Sequence, residues 1–192
     1  YTYKKGFTYE KISPNIEKRI TGKSYRKNNN IKLSDLRYVQ VLHYGFDGKV
    51  KEGELIVNKK IAKKTVKVFY ALYQKRYRIE RMRLIDDYGA NDEKSMAANN
   101  TSAFNYRVIS GTTKLSNHSY GMAIDINPRI NPWVKGTKVS PANGKVYKQR
   151  KTSKCKGKYK RYMIHKNDTA YKIFKKYGFS WGGEWRSSKD YQ

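Results

Sequence analysis

His118 and Asp125 stand seven residues apart with Gly121 between them, in the run Ser116-Asn117-His118-Ser119-Tyr120-Gly121-Met122-Ala123-Ile124-Asp125. Imidazole nitrogen and carboxylate oxygen are both good zinc donors, and a catalytic zinc takes three protein ligands and keeps a fourth position for water. The pair would supply two of those three. Gly121, the isoleucines at 124 and 126, and Asn127-Pro128 disfavour a helix across this run. On a straight strand an odd separation sends two side chains to opposite faces. A bend is therefore needed between them, and glycine can supply it. The run is expected as a loop, a glycine turn and a short strand, with Met122, Ile124 and Ile126 on the core face and Ala123 and Asp125 on the other.

The pattern Ser-x-His-x-x-Gly-x-Ala-x-Asp, made here by Ser116, His118, Gly121, Ala123 and Asp125, resembles the VanY-type D-alanyl-D-alanine carboxypeptidase family of zinc peptidases. Relatives of that family include L-alanyl-D-glutamate endopeptidases of phage lysins and bacterial wall hydrolases. The likeness extends upstream to the segment from Asn99 to Arg107, onward to Asn127-Pro128 and Asn131-Pro132, and to Trp181-Gly182-Gly183-Glu184-Trp185. It covers roughly residues 31 to 192.

The resemblance implies zinc held by His118 and Asp125, a substrate contact at Ser116, and a general base at Asp190. It places the third ligand, a histidine, three positions after the acidic residue. That position falls just beyond Gln192, so the chain is expected to stop short of it. His43 and His165 are the alternatives within the sequence. His43 lies in a strand-like run and His165 ahead of a helix start, where structural roles are the simpler expectation.

The developing oxyanion of peptide hydrolysis calls for a nearby cation. Relatives carry an arginine in a Ser-Gly-Tyr-Arg type segment, but this chain reads Asp86-Asp87-Tyr88-Gly89 after the apolar run Met82 to Ile85. Arg107, eleven residues before His118, is the substitute; a plain surface charge is its other reading.

Charge bounds the partners. Lys plus Arg number 43 against 15 Asp plus Glu, a net charge of +28. Such a surface attracts polyanions: nucleic acid, an anionic membrane or an anionic cell wall. Eighteen tyrosines among the lysines would suit base stacking, yet no nucleic-acid-binding motif is present and the basic residues are spread along the chain. Nucleic acid is therefore disfavoured beside anionic cell-wall polymers. The single cysteine, Cys155, permits no internal disulfide and no cysteine zinc cluster, and it is expected as a loop thiol. No run approaches the ~18 apolar residues of a membrane span. The chain opens on Tyr1, so a segment ahead of it, with room for a secretion signal, is expected.

Stepping outward to the elements, residues 1–30 are expected as a basic extension or linker and 31–192 as the peptidase domain, with order beginning near Ile31. Residues 36–44 and 54–57 form a hairpin across Gly45-Phe46-Asp47-Gly48. Asn58 caps a helix to about Gln74, with Ile61, Thr65, Val68 and Leu72 inward. Residues 79–86 are expected as a strand, 91–105 as a short helix and loop with Met96 and Phe104 packing, and 131–162 as a long surface loop over the site. Asp168 caps a helix through Tyr177 that Gly178 stops, and 179–185 return as the strand delivering Asp190.

The expectation is a small single α+β domain with one mainly antiparallel sheet and helices on one side, like hedgehog and D,D-peptidase folds. Its function would be a secreted or wall-associated, monomeric zinc peptidase acting on peptidoglycan stem peptides. The alternative is a non-catalytic basic module that holds wall polymer or nucleic acid.

Overall fold

The computed structural model describes residues 1–192. Its centre is a four-stranded antiparallel sheet of β1 (Thr2–Lys4), β2 (Phe7–Lys11), β3 (Leu36–Tyr44) and β4 (Val50–Asn58), in that spatial order. The β3–β4 hairpin runs in unbroken register from Leu36 opposite Asn58 to Tyr44 opposite Val50. Alternation sorts the side chains: Val39, Val41, Leu55 and Val57 enter one core, while Leu36 and Ile56 enter a second on the reverse face.

The first core lies under α2 (Lys59–Gln74), which buries Ile61, Thr65, Val68 and Leu72, as its spacing predicts, together with Ala62, Val66 and Phe69. Full burial of each large apolar side chain is worth roughly 1.5–3 kcal/mol, so this one helix anchors the sheet. The Asn58 side chain accepts from the Lys60 amide and caps it. A shorter helix, α1 (Pro14–Ile20), covers the reverse face through Ile16 and Ile20.

The fold is α+β with a mainly antiparallel sheet, as expected, but with two differences. Helices cover both faces, α1 opposite α2. The first thirty residues are not a linker: β1 and β2 belong to the main sheet, and Phe7 and Ile20 are fully buried. Their basic composition hides few but well-placed apolar residues, and the pairing partner of β2 lies far along the chain at residues 37–40.

Strand content after α2 is lower than the sequence suggests. Of residues 79–86 only β5 (Arg81–Met82) is a strand, paired in parallel with β6 (Asn100–Thr101) after α3 (Asp92–Ala97). Residues 131–162 are not simply a long surface loop. They contain the hairpin of β7 (Trp133–Lys135) and β8 (Lys138–Ser140) and a third small core of Ile130, Tyr147, Cys155 and Met163. Cys155 lies in a loop as expected, but it is buried. The segment docks on α3, where Glu93 accepts from the Ser140 hydroxyl at 3.0 Å and the Ala142 amide at 2.8 Å. Asp168 caps α4 (Thr169–Lys176), and Gly178 follows it with φ +79°. The segment 179–185 turns as a short 3-10 helix, and the strand carrying Asp190 is β9 (Lys189–Asp190), paired with β7.

Candidate active site

His118 and Asp125 meet. The Nε2 of His118 lies 3.2 Å from Oδ1 of Asp125, and both side chains are largely buried. His118 sits on a single 3-10 turn, Asn117–Tyr120, that Ser116 opens and Gly121 closes. The Ser116 hydroxyl accepts from the His118 amide at 3.2 Å. Gly121 has φ +63°, and a Cβ there would come 2.7 Å from the Asn58 nitrogen. Only glycine meets both demands. The turn is then fastened to the α2 cap: the Asn58 amide donates to Gly121 O at 2.8 Å, and its side-chain NH2 donates to Tyr120 O at 3.0 Å.

The other imidazole nitrogen, Nδ1, lies 2.6 Å from the carbonyl oxygen of Ala103. A carbonyl can only accept, so Nδ1 carries a proton; Nε2, when protonated as well, donates to Asp125, and on losing that proton it is the nitrogen left with a free lone pair. Ala103 is itself fixed by its neighbours, since the Phe104 amide donates to Ile56 O on the outer edge of β4.

Asp125 is held differently from expectation. It lies on an isolated antiparallel bridge to Ser102, with amide-to-carbonyl bonds of 2.9 and 3.2 Å in the two directions, and not on a strand. Ile126 is buried, but Met122 is exposed, so the alternation proposed for 122–126 fails. Buried asparagines do the positioning that a strand would have done. Asn127 takes the Glu80 amide on Oδ1 and donates to Arg78 O, while its own amide donates to the Thr101 hydroxyl. Asn99 accepts from Arg129 N, and Asn131 donates to Ile126 O. Asn99 and Asn127 adopt φ +57° and +45°, a region asparagine tolerates better than most residues. The Asn-Pro pairs were the signal in the sequence; the network needed the folded chain.

Asp190, from the far end of the chain, comes near enough to this pair to feel the charge of both members. Its Oδ1 is sealed from solvent and has no hydrogen-bond partner. Burial, and next the negative charge of Asp125, push the carboxyl up to about 7 against the opposing pull of His118. His118 feels the same pair from the other side: burial disfavours its cation, yet Asp125 outweighs that and lifts the imidazole to about 9. Trp181-Gly182-Gly183 packs over Asp190. A Cβ on Gly182 would meet the Asp190 backbone and Cβ, and one on Gly183 would meet the Trp181 ring.

The remaining expected residues stand as follows. Arg107 bears on His118 only weakly and is ion-paired to Asp92. Ser116, expected to touch substrate, is buried and spends its hydroxyl on capping. His43 is buried with Nδ1 3.0 Å from Ile79 O, and His165 Nε2 lies 2.6 Å from Arg150 O, so each ring is engaged elsewhere. A groove of about 520 Å³ along β3, β4 and β5 includes His43 but none of the three site residues, and within it Lys51 pairs with Asp47 and Arg81 with Glu80.

The donor set fits a cation in chemical type: one imidazole with a fixed tautomer, one carboxylate beside it, and a second, buried carboxylate oxygen with nothing to satisfy it. No group of three or more His, Cys, Asp or Glu side chains is arranged to hold an ion. The histidine expected past Gln192 lies outside the described residues.

No curated protein and no solved structure matches the chain. A family model does: residues 110–192 match that of the D-alanyl-D-alanine carboxypeptidases. This stretch holds His118, Asp125, Asp190 and the Trp181–Trp185 turn that covers Asp190, so in the part of the chain that carries the candidate site the protein is similar to the D-alanyl-D-alanine carboxypeptidases.

Proposed function

We propose that the protein is a zinc-dependent peptidase, exported to the cell wall, that hydrolyses peptide bonds in peptidoglycan stem peptides as a D-alanyl-D-alanine carboxypeptidase or an L-alanyl-D-glutamate endopeptidase. The observation that carries this reading is the contact of His118 with Asp125, with a buried Asp190 carboxyl near enough for its charge to respond to both, inside the matched family segment.

His118, through Nε2, and Asp125 would hold the ion. When bound, zinc lowers the pKa of a coordinated water and polarises a carbonyl. Asp190 takes the proton of the attacking water on its free Oδ1 and returns it to the nitrogen of the leaving amine. A carboxyl raised toward neutrality is matched to both halves of that transfer. Ala103 keeps His118 in the tautomer that leaves Nε2 free. Ser116 serves by holding the His118 turn. Arg107 is the cation available to the oxyanion, oriented by Asp92.

The test uses the full-length protein: bound zinc is measured alongside release of D-alanine or L-alanyl-D-glutamate fragments from soluble muropeptides. Asp190→Asn should retain zinc and lose cleavage at least a hundredfold, while His118→Ala should lose both. Cleavage at the parental rate in Asp190→Asn removes the assigned base. Zinc bound with muropeptides left intact favours the basic binding module.

A further inference from the structure

The outward face of α2 carries Lys60, Lys63, Lys64 and Lys67, at spacings of three, one and three that put all four on one side of a helix. The helix contains no acidic residue, and neither does α4, which packs beside it and presents Lys172 and Lys176. Neighbouring lysines do find carboxylates: Lys59 pairs with Asp35 and Lys175 with Glu184. Lys60, Lys63, Lys64 and Lys67 take part in no ion pair. Cations near the start of a helix oppose its dipole, and the first turn of α2 has no acid to compensate. The helix dipole therefore gives no reason for the row.

This face starts beside the active site. The α2 cap, Asn58, is bonded to Tyr120 and Gly121 of the His118 turn, so the lysine row runs from that rim along the helix. We propose that the α2 lysine face is a docking track for a linear phosphodiester polymer of the cell wall, and that it holds the enzyme beside its peptide substrate.

Charge complementarity selects a polyanion. The side-chain types choose among polyanions. The row is all lysine, point charges on flexible stems that follow a phosphate chain without demanding planar geometry. An ammonium already stands near the face of each aromatic neighbour: Lys64 Nζ lies 4.3 Å from the centroid of the Phe179 ring, Lys63 Nζ 5.7 Å from that of Tyr1 and Lys67 Nζ 5.6 Å from that of Tyr3. Single-stranded nucleic acid gains its affinity by stacking bases on ring faces, and here a base would have to compete with a lysine ammonium for each face. The choice of a wall polymer rests on the peptidase reading above.

The experiment compares full-length protein with the quadruple variant Lys60→Gln, Lys63→Gln, Lys64→Gln, Lys67→Gln and with a charge-matched control, Lys145→Gln, Lys151→Gln, Lys154→Gln, Lys156→Gln, on the exposed 145–156 segment. Glutamine removes the charge and nearly matches lysine in helix propensity, so α2 should persist. Binding to poly(glycerol phosphate) and to single-stranded DNA is measured across a salt series, with soluble muropeptide hydrolysis alongside. The α2 variant should bind poly(glycerol phosphate) at least tenfold more weakly, with a salt slope reduced by about 3 at ~0.7 per phosphate contact. The control should stay within about twofold, and soluble muropeptide hydrolysis should be unchanged. Equal loss in the control would reduce the effect to bulk charge and overturn the proposal, as would tighter binding to DNA than to poly(glycerol phosphate). If parental protein fails to cleave soluble muropeptides yet shows the α2-specific loss, the peptidase reading falls and the docking track stands.

Discussion

A Cβ on Gly182 would lie 2.6 Å from the Cβ of Asp190 and 2.6 Å from its carbonyl oxygen. The turn after Trp181 can close over β9 only because nothing projects there. Gly182→Ala should push Asp190 away from His118 and Asp125. A displacement of about 1 Å at a catalytic group can cost on the order of a hundredfold, so kcat on muropeptides should fall by that order while the thermal unfolding midpoint moves little. A parental kcat in this variant would mean that the place of Asp190 is not critical.

Gly121 and Gly89 both sit in the left-handed region, at φ +63° and +65°, but differ in what surrounds them. A Cβ at 121 would meet the Asn58 amide at 2.7 Å, whereas nothing lies within 4 Å at 89. Backbone strain alone is worth about 1–3 kcal/mol. Gly89→Ala should show a loss of that size in urea unfolding, and Gly121→Ala a larger one, with weaker zinc binding by the full-length protein because the His118 turn shifts. Equal losses would show that the Asn58 contact yields without cost.

Arg150 is a cation whose four guanidinium hydrogen bonds all go to neutral oxygens: Ile130 O, Tyr147 O, Ile164 O and Asn131 Oδ1, at 2.8–3.2 Å. Burial pulls its pKa down to about 10, and its far side stacks 4.3 Å over the Tyr191 ring, next to Asp190. Arg150→Met would leave several buried acceptors without donors. Each such group costs about 1–3 kcal/mol, so we expect a total loss of roughly 3–5 kcal/mol in urea unfolding, with Arg150→Lys between the two. A loss below about 1 kcal/mol in Arg150→Met would show that water replaces the fork.

His43 gives the fold a pH dependence. Burial is the main cause that lowers its imidazole below the usual 6.5, opposed by its bond to Ile79 O; Lys51, its register partner, lowers it further and Asp47 opposes weakly. The folded ring therefore stays neutral where the unfolded one takes a proton. Stability from this residue is full above about pH 6.5 and declines as pH falls through it, by at most ~1.4 kcal/mol per pH unit until the folded pKa is reached. His43→Gln should flatten the fall in thermal midpoint between pH 7 and 5. An unchanged slope would assign it to other groups.

Local chemistry was legible along the chain wherever it was short-range. The cap at Asn58, the α2 stripe, the hairpin through Gly45–Gly48, the cap at Asp168 and the stop at Gly178 all follow from residues within a few positions of one another. So did the turn at Gly121 and the pairing of His118 with Asp125, because seven residues and one glycine suffice to bring them together. The strand proposed for 122–126 was misread because alternation of apolar residues looks the same whether a segment is paired or merely threaded past a core. The N-terminal strands were missed because their partner, β3, is some thirty residues away, and composition does not reveal pairing at that distance.

By itself, then, the sequence determined that an imidazole and a carboxylate would meet across Gly121, and where the capped helices α2 and α4 would run. The tertiary structure alone decided which carbonyl orients His118, that Ser116 caps instead of facing outward, and that Asp190, some sixty-five residues beyond Asp125, arrives with one oxygen unpaired. The physical reason is range. Dihedral preference and side-chain capping act over one turn, but the burial that raises a carboxyl, and the charge that opposes it, are summed over whatever the rest of the chain packs around it.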